Sequence, residues 1–303
     1  MGKLKFSGIM RLMSEFQVLL YYKYVTVENP EYFRDEHRVL CEKLNLKGRI
    51  IVAQEGLNGT VEGRTEDTEE YARILKNDPR FADMDIKRSV GTGAAFPRLS
   101  VKARSEIVSM HLGEQDFSPT RVTGKYLKAE ELHEWILSGK EFYIVDMRND
   151  YEYKVGRFEG SLFPNLENFR DVPKVLPELE SLKNKTVVTV CTGGVRCEKA
   201  SGFLVQNGFN DVYQLYGGIV TYMEKYPNEH FKGSLYVFDK RIVMKFESDT
   251  VPHEIIGRCQ KCDVPTDHYV NCQNLACHMH FLCCEKCLAE DGKAYCEKEV
   301  VTA

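Results

Sequence analysis

The sequence predicts an α+β domain over residues 1–117, an α/β domain with a parallel sheet over residues 118–233, and a small cysteine-rich segment over residues 234–303. Three observations support this division. The first part arranges its apolar runs as strand, helix, two strands, helix and strand. The second part alternates strands with helices, which is typical of a parallel sheet covered on both faces. The last part holds eight of the eleven cysteines.

The composition indicates a globular chain. Hydrophobic residues make up 43% and charged residues 28% of the sequence, as in folded domains, and no apolar run approaches the length of a membrane-spanning helix. The N-terminus lacks the apolar core of a signal peptide. We therefore expect a cytoplasmic protein without membrane contact, whose cysteines are reactive thiols or metal ligands. Because the net charge is −4, any binding of nucleic acid would depend on local basic patches and not on the overall charge.

The N-terminal domain is expected to follow the order βαββαβ. Asn29 is a suitable N-cap, and Pro30 suits the first turn of the first helix. The order is that of a ferredoxin-like fold, with two helices on one face of an antiparallel sheet. The strands are expected at residues 17–24, 49–53, 59–63, 84–88 and 99–104, and the helices at residues 30–44 and 66–76.

The last strand of this domain alternates apolar and basic residues, which predicts one core face and one basic face. The basic face contains Arg98, Lys102 and Arg104, and we expect Lys87 and Arg88 to lie close to it. Such a face is a candidate phosphate-binding surface. A solvated charged face is the alternative interpretation.

A glycine-containing loop follows the expected strand at residues 185–190 and precedes a helix. Gly193 and Gly194 allow positive φ angles, which turn backbone N–H groups inward, and the helix start adds partial positive charge. A Cys191 thiolate at the loop centre would be stabilised, and Arg196 beside it should lower the pKa of that thiol. The alternative is a buried, inert cysteine in a strand-to-helix turn. Cys197 is either a resolving thiol or a packed residue.

The loop pattern Cys-x-x-Gly-x-Arg resembles the active-site loop of rhodanese domains. The longer stretch Cys-Thr-Gly-Gly-Val-Arg-Cys-Glu-Lys resembles the rhodanese-containing tRNA uridine hydroxylases, which make 5-hydroxyuridine at the wobble position. The sequence Asp-Met-Arg at residues 146–148 resembles the Asp-x-Arg that rhodanese domains place beside this loop, and residues 55–59 resemble another loop of the hydroxylases. The resemblance implies catalytic roles for Cys191 and Arg196, with Asp146 and Arg148 supporting the active-site loop. It also implies tRNA contacts by Glu55 and Asn58. The other residues of the active-site loop are Thr192, Gly193, Gly194, Val195 and Cys197.

The resemblance further implies oxygen-dependent hydroxylation of the wobble uridine in the anticodon loop of tRNA. Neither an electron donor nor a flavin, haem or non-haem iron motif is recognisable in the sequence. One chemical hypothesis is that the Cys191 thiolate adds to C6 of the uracil and makes C5 electron-rich. The alternatives are a sulfurtransferase that carries a persulfide on Cys191, and a non-catalytic RNA-binding or adaptor protein.

The C-terminal segment follows an expected edge strand at residues 236–241 and has the cysteine spacing of a zinc site. Two Cys-x2-Cys pairs can supply four thiolates to one tetrahedral ion, and metal would then provide much of the folding free energy of this small segment. Reduced thiols packed against the second domain are the alternative. The first candidate site contains Cys259, Cys262, Cys284 and Cys287, and the second draws on Cys272, Cys277, Cys283 and Cys296 with His268, His278 and His280.

Overall fold

The computed structural model describes residues 14–274, 277, 279–292 and 294–296. The chain divides into two compact units, one ending at Thr123 and the other beginning at Gly124. In the described part of the chain, none of the helices combines the length and the apolar character that crossing a membrane requires.

The N-terminal unit is a five-stranded sheet with two helices against one face. The sheet order is β4-β1-β3-β2-β5, and β5 runs parallel to β2 while the other neighbours are antiparallel. The ferredoxin-like arrangement is thus confirmed, with a parallel edge strand added to it. The strands are β1 (Phe16–Tyr24), β2 (Lys47–Ala53), β3 (Gly56–Arg64), β4 (Ile86–Val90) and β5 (Leu99–Ala103), and the helices are α1 (Pro30–Lys43) and α2 (Thr65–Asn77).

Alternation along β1 and β3 fills the core between the sheet and the helices. Leu19 and Val61 are buried in this core, together with Tyr71 of α2. The Tyr71 hydroxyl hydrogen-bonds the Tyr21 hydroxyl and lies 2.6 Å from Nε2 of His37, so these buried polar groups satisfy one another.

The strand order corrects one expectation about the basic face. Strands β4 and β5 form opposite edges of the sheet, so Lys87 and Arg88 do not lie beside Lys102. Lys87 pairs with Asp85 at 2.7 Å, and Arg88 forms two hydrogen bonds with Glu69. The predicted basic face is therefore reduced to Arg98, Lys102 and Arg104 at the β5 edge.

The second unit begins with a four-stranded parallel sheet in the order β6-β10-β9-β7. The central strand β9 consists of β-branched residues that are almost entirely buried, as expected for a strand covered on both faces. An antiparallel pair, β8 with β11, stands outside this sheet. The strands are β6 (Lys125–Leu127), β7 (Tyr143–Asp146), β8 (Gly156–Phe158), β9 (Thr186–Val190), β10 (Asp211–Leu215) and β11 (Phe231–Gly233), and the helices are α3 (Ala129–Leu137), α4 (Asp150–Val155), α5 (Val172–Val175), α6 (Val195–Gln206) and α7 (Gly218–Lys225).

The cysteine-rich segment continues this unit with short hairpins. The edge strand expected at residues 236–241 is wrong, because the strand ends at Tyr236 and the chain turns back. Ile242 has a φ of +63°, and Arg241 pairs with Asp239 at 2.6 Å inside that turn. The remaining elements are β12 (Leu235–Tyr236), β13 (Val243–Met244), β14 (Tyr269–Asn271), β15 (His280–Leu282) and α8 (Glu285–Asp291).

Candidate active site

Cys191 directly follows β9, at the carboxyl end of a central strand of the parallel sheet. The chain then makes a tight loop that ends at Gly194, whose φ of +105° disfavours a side chain and which is the N-cap of α6. The Gly194 N–H donates to Sγ of Cys191 at 3.2 Å. The loop thus turns a backbone dipole toward the sulfur, as a bound anion requires.

The start of α7 holds the other side of this loop. The Ile219 N–H donates to the Cys191 carbonyl at 2.9 Å, and the Val220 N–H donates to the Thr192 carbonyl at 3.0 Å. A Cβ on Gly218 would lie 2.7 Å from the Cys191 carbonyl oxygen and from backbone atoms of Gly193 and Gly194. Only glycine permits so close an approach between α7 and the loop.

A buried ion pair fixes Arg196 below the loop. Its guanidinium donates to both carboxylate oxygens of Glu152, at 2.5 and 2.7 Å. The Thr192 hydroxyl donates to the same carboxylate at 3.1 Å. The Glu152 side chain is fully buried and the Arg196 side chain is 8% exposed, so each charge depends on the other for compensation.

The surroundings of Cys191 favour its thiolate. Burial alone would raise the pKa of the thiol, but the hydrogen bond with Cys197, the charge of Arg196 and the loop N–H groups together lower the pKa to about 6. Burial and the neighbouring Cys191 raise the pKa of Cys197 well above its usual range. Cys191 therefore carries the charge and Cys197 carries the proton.

Asp146 and Arg148 form a second buried ion pair with a separation of 2.6 Å and no exposure on either side chain. Arg148 also donates to the carbonyls of Glu152 and Gly156, at 3.4 and 2.7 Å. These bonds attach Arg148 to the middle and to the C-terminal end of the short helix that carries Glu152. The pair lies where the sequence suggested loop support, and it contacts the loop through α4.

Sequence reasoning missed the roles of Glu152, Gly218 and Phe238. Nothing in the sequence around Glu152 indicates which cation it meets. The Phe238 ring lies 5.7 Å from the guanidinium carbon of Arg196 and is 44% exposed. Its position depends on the turn after β12, which the sequence did not reveal.

The residues considered for tRNA binding divide into two groups. Arg98, Lys102 and Arg104 are exposed at the β5 edge, as the alternation predicts. Glu55 and Asn58 instead hold the backbone of Ile107: its N–H donates to the Glu55 carboxylate at 2.6 Å, and its carbonyl accepts from Asn58 at 3.0 Å.

Four cysteines of the C-terminal segment converge. The sulfurs of Cys259, Cys262, Cys284 and Cys287 all lie within 4.8 Å of one another, and Cys262 and Cys284 are 3.6 Å apart. Two backbone N–H groups donate to these sulfurs: that of Cys284 to Cys259 and that of Cys287 to Cys284. The four sulfurs and their N–H donors are a donor set that fits a thiolate-bound ion such as zinc.

A second group of three sulfurs contains Cys272, Cys277 and Cys296. Cys283 does not join it, and its sulfur faces the Cys284 carbonyl. His268 and His280 do not belong to this group of sulfurs. Nδ1 of His268 meets the Cys283 carbonyl, and Nδ1 of His280 meets the Asn271 side chain. His278 lies outside the described residues.

Comparison with known proteins covers almost the whole chain. Residues 16–107 match the UPF0176 acylphosphatase like domain, residues 128–225 match the Rhodanese-like domain, and residues 232–299 match the family described as Rhodanase C-terminal.

Curated relatives match with similar coverage. A protein of Bacillus cytotoxicus named tRNA uridine(34) hydroxylase is 46% identical over 91% of this chain and 85% of the relative. Proteins with the same name from Bacillus mycoides and Bacillus licheniformis are each 43% identical, over 92% and 91% of this chain and 87% and 85% of the relatives.

Neutralising the buried pair should raise the pKa of Cys191. We expect the double variant Glu152→Gln/Arg196→Gln to raise the pKa of the Cys191 thiol from about 6 toward the ordinary value of about 8.5, because the cationic neighbour is lost. Thiolate absorbance in the ultraviolet, recorded against pH with Cys191→Ser subtracted, measures the shift. The double variant is preferable to Arg196→Gln alone, which leaves a buried carboxylate unpaired at a cost of about 3–5 kcal/mol. An unchanged titration would contradict the electrostatic role of Arg196.

Adding a methyl group at Gly218 should displace the loop and also raise the pKa of Cys191. Gly218→Ala is compared with Gly160→Ala, because the two glycines have φ angles of +71° and +69°, but a Cβ at Gly160 would meet no atom within 4 Å. Both variants place a side chain on a left-handed backbone, which costs each of them about 1–2 kcal/mol of stability. Only Gly218→Ala should change the thiolate titration, and equal titrations in the two variants would show that the close approach is unimportant.

Proposed function

The chain belongs to the tRNA uridine(34) hydroxylase family, and from that premise we propose that it hydroxylates C5 of the wobble uridine with Cys191 as the active-site thiol. The observation that carries this proposal is the environment of Cys191, whose thiolate is favoured by the Gly194 N–H and the charge of Arg196. A thiolate at neutral pH is a nucleophile suited to the electron-poor C6 of a uracil. A tRNA substrate also favours the proposed cytoplasmic location.

In the proposed reaction, the Cys191 thiolate forms a bond to C6, and the ring electron pair moves toward C5 and O4. One atom of O2 then enters at C5, and the other leaves as water with two electrons and two protons from a reductant. Loss of the C5 proton breaks the S–C6 bond, restores the ring double bond and regenerates the thiolate. The loop N–H groups and Arg196 would stabilise the charge that develops on the base.

The wobble position suits this buried thiol. A base in the single-stranded anticodon loop can leave its stack without melting a duplex. Phosphates of the same tRNA are the proposed ligands of Arg98, Lys102 and Arg104, which lie exposed along one sheet edge. Glu55 and Asn58 would support this region through Ile107.

We also propose a structural zinc ion in the C-terminal segment. Cys259, Cys262, Cys284 and Cys287 would hold it, and the ion would stabilise a segment that has few apolar residues of its own. The three-sulfur group of Cys272, Cys277 and Cys296 is the candidate for a second ion.

Hydroxylation should depend on Cys191 in cells. In a strain without this protein, wild type and Cys197→Ser, which keeps a hydrogen-bond donor beside Cys191, should restore 5-hydroxyuridine to tRNA, whereas Cys191→Ala should not, because only Cys191 supplies the thiolate. Mass spectrometry of tRNA nucleosides measures the product. Full restoration by Cys191→Ala would exclude a nucleophilic role. If wild type restores none, the sulfurtransferase alternative is tested by thiosulfate-to-cyanide transfer, and tight RNA binding without either activity would favour an adaptor.

Reversing charge at the β5 edge should weaken tRNA binding. The variant Lys102→Glu/Arg104→Glu is expected to lower affinity in a gel shift and to reduce the salt slope by about 2, because two phosphate contacts are lost. The matched control is Lys43→Glu/Lys76→Glu, which reverses two exposed charges on α1 and α2. Equal affinity of both variants would remove the β5 edge from the binding surface.

A further inference from the structure

Three metal-ligand side chains meet at the end of α7 that is remote from Cys191. His133 lies on α3, and Glu229 and His230 follow α7 and precede β11. One ligand atom of each lies within 4.8 Å of the others. Because an eight-residue helix is about 12 Å long, this cluster is separate from the loop that α7 holds at its start.

The His133 imidazole has an outer hydrogen-bond partner for one ring nitrogen. Nδ1 of His133 is 3.1 Å from the Tyr222 hydroxyl, and its Nε2 is 3.6 Å from a Glu229 carboxylate oxygen. Nδ1 of His230 is 4.0 Å from a Glu159 carboxylate oxygen. Nε2 of His230 is buried and has no hydrogen-bond partner within the described residues. Metal-bound histidines typically use one ring nitrogen for an outer hydrogen bond, as Nδ1 of His133 does, and the other nitrogen binds the ion.

The backbone and the aromatic neighbours hold this arrangement in place. Asn228, which precedes the carboxylate ligand, has a φ of +62° and is 3% exposed. Its side chain donates to the carbonyls of Phe246 and Val251, at 2.9 and 3.1 Å. The His133 ring stacks on Tyr226 with centroids 3.8 Å apart. The ligands are thus positioned by contacts that do not themselves require a metal.

We propose that His133, Glu229 and His230 bind a divalent transition-metal ion. Two imidazoles and one carboxylate are a donor set that suits zinc, iron(II) or nickel. Bonds of about 2.0–2.2 Å to nitrogen and oxygen require the ligands to close by roughly 1 Å, which Glu229 can provide because its side chain is 36% exposed. Three protein ligands leave a coordination position for water or a small anion.

The test uses the reduced, full-length protein, freed of metal and dialysed against micromolar free zinc. Bound zinc is counted by elemental analysis in wild type, Glu229→Gln and His133→Phe, the last of which retains an aromatic ring against Tyr226. Glu134→Gln is the matched control, since it removes one exposed carboxylate from the same helix without touching the cluster. Cys259→Ser removes one ligand of the four-cysteine site, so zinc bound there can be distinguished from zinc bound by His133, Glu229 and His230.

Glu229→Gln and His133→Phe should each bind one zinc fewer than wild type, while Glu134→Gln binds the same number. In wild type and in Cys259→Ser alike, zinc should protect His133 and His230 from diethyl pyrocarbonate, as read by mass spectrometry. Equal zinc counts in wild type and both ligand variants, or a loss also in Glu134→Gln, would overturn the proposal. Absence of protection would overturn it as well, leaving the cluster a stack of packed rings.

Discussion

The buried ion pair between Glu152 and Arg196 is the interaction on which the candidate active site depends. The Glu152 carboxylate is fully buried and the Arg196 guanidinium nearly so, and each charge is tolerated because the other lies within hydrogen-bonding distance. The pair joins α4 to the first turn of α6 and also takes in the Thr192 hydroxyl. It thereby fixes the position of a cation near Cys191, and that cation is one of the groups that favour the thiolate.

Further contacts make this pair rigid. Arg148, which is paired with Asp146, donates to carbonyls in the middle and at the C-terminal end of α4. The Tyr269 hydroxyl of the cysteine-rich segment donates to the Tyr151 carbonyl on the same helix. Val155 at the end of α4 shares an apolar cluster with Tyr269 and Leu282. An ion that folds the cysteine-rich segment would therefore also stabilise the helix that carries Glu152, although it would not touch the reacting thiol.

Local sequence patterns were sufficient to predict those elements whose structure depends on residues that are close together in the chain. The helices at Pro30–Lys43 and Thr65–Asn77 and the strand at Thr186–Val190 lie within one residue of where the sequence pattern placed them. The Cys191 loop follows from its glycines and its position after a buried strand. The prediction of an edge strand at residues 236–241 was wrong, because the β-branched and aromatic residues there lie in a turn that the pair Asp239–Arg241 closes.

What the sequence by itself determined is the chemistry of single segments: a thiol in a glycine loop, two Cys-x2-Cys pairs, and a basic strand. What only the tertiary structure decided is which distant side chains face one another. Glu152 meets Arg196 across 44 residues, and strand order separates Lys87 from Lys102. The physical reason is that hydrophobic periodicity fixes which face of an element is buried, whereas charge pairing and metal ligation depend on the packing of whole elements.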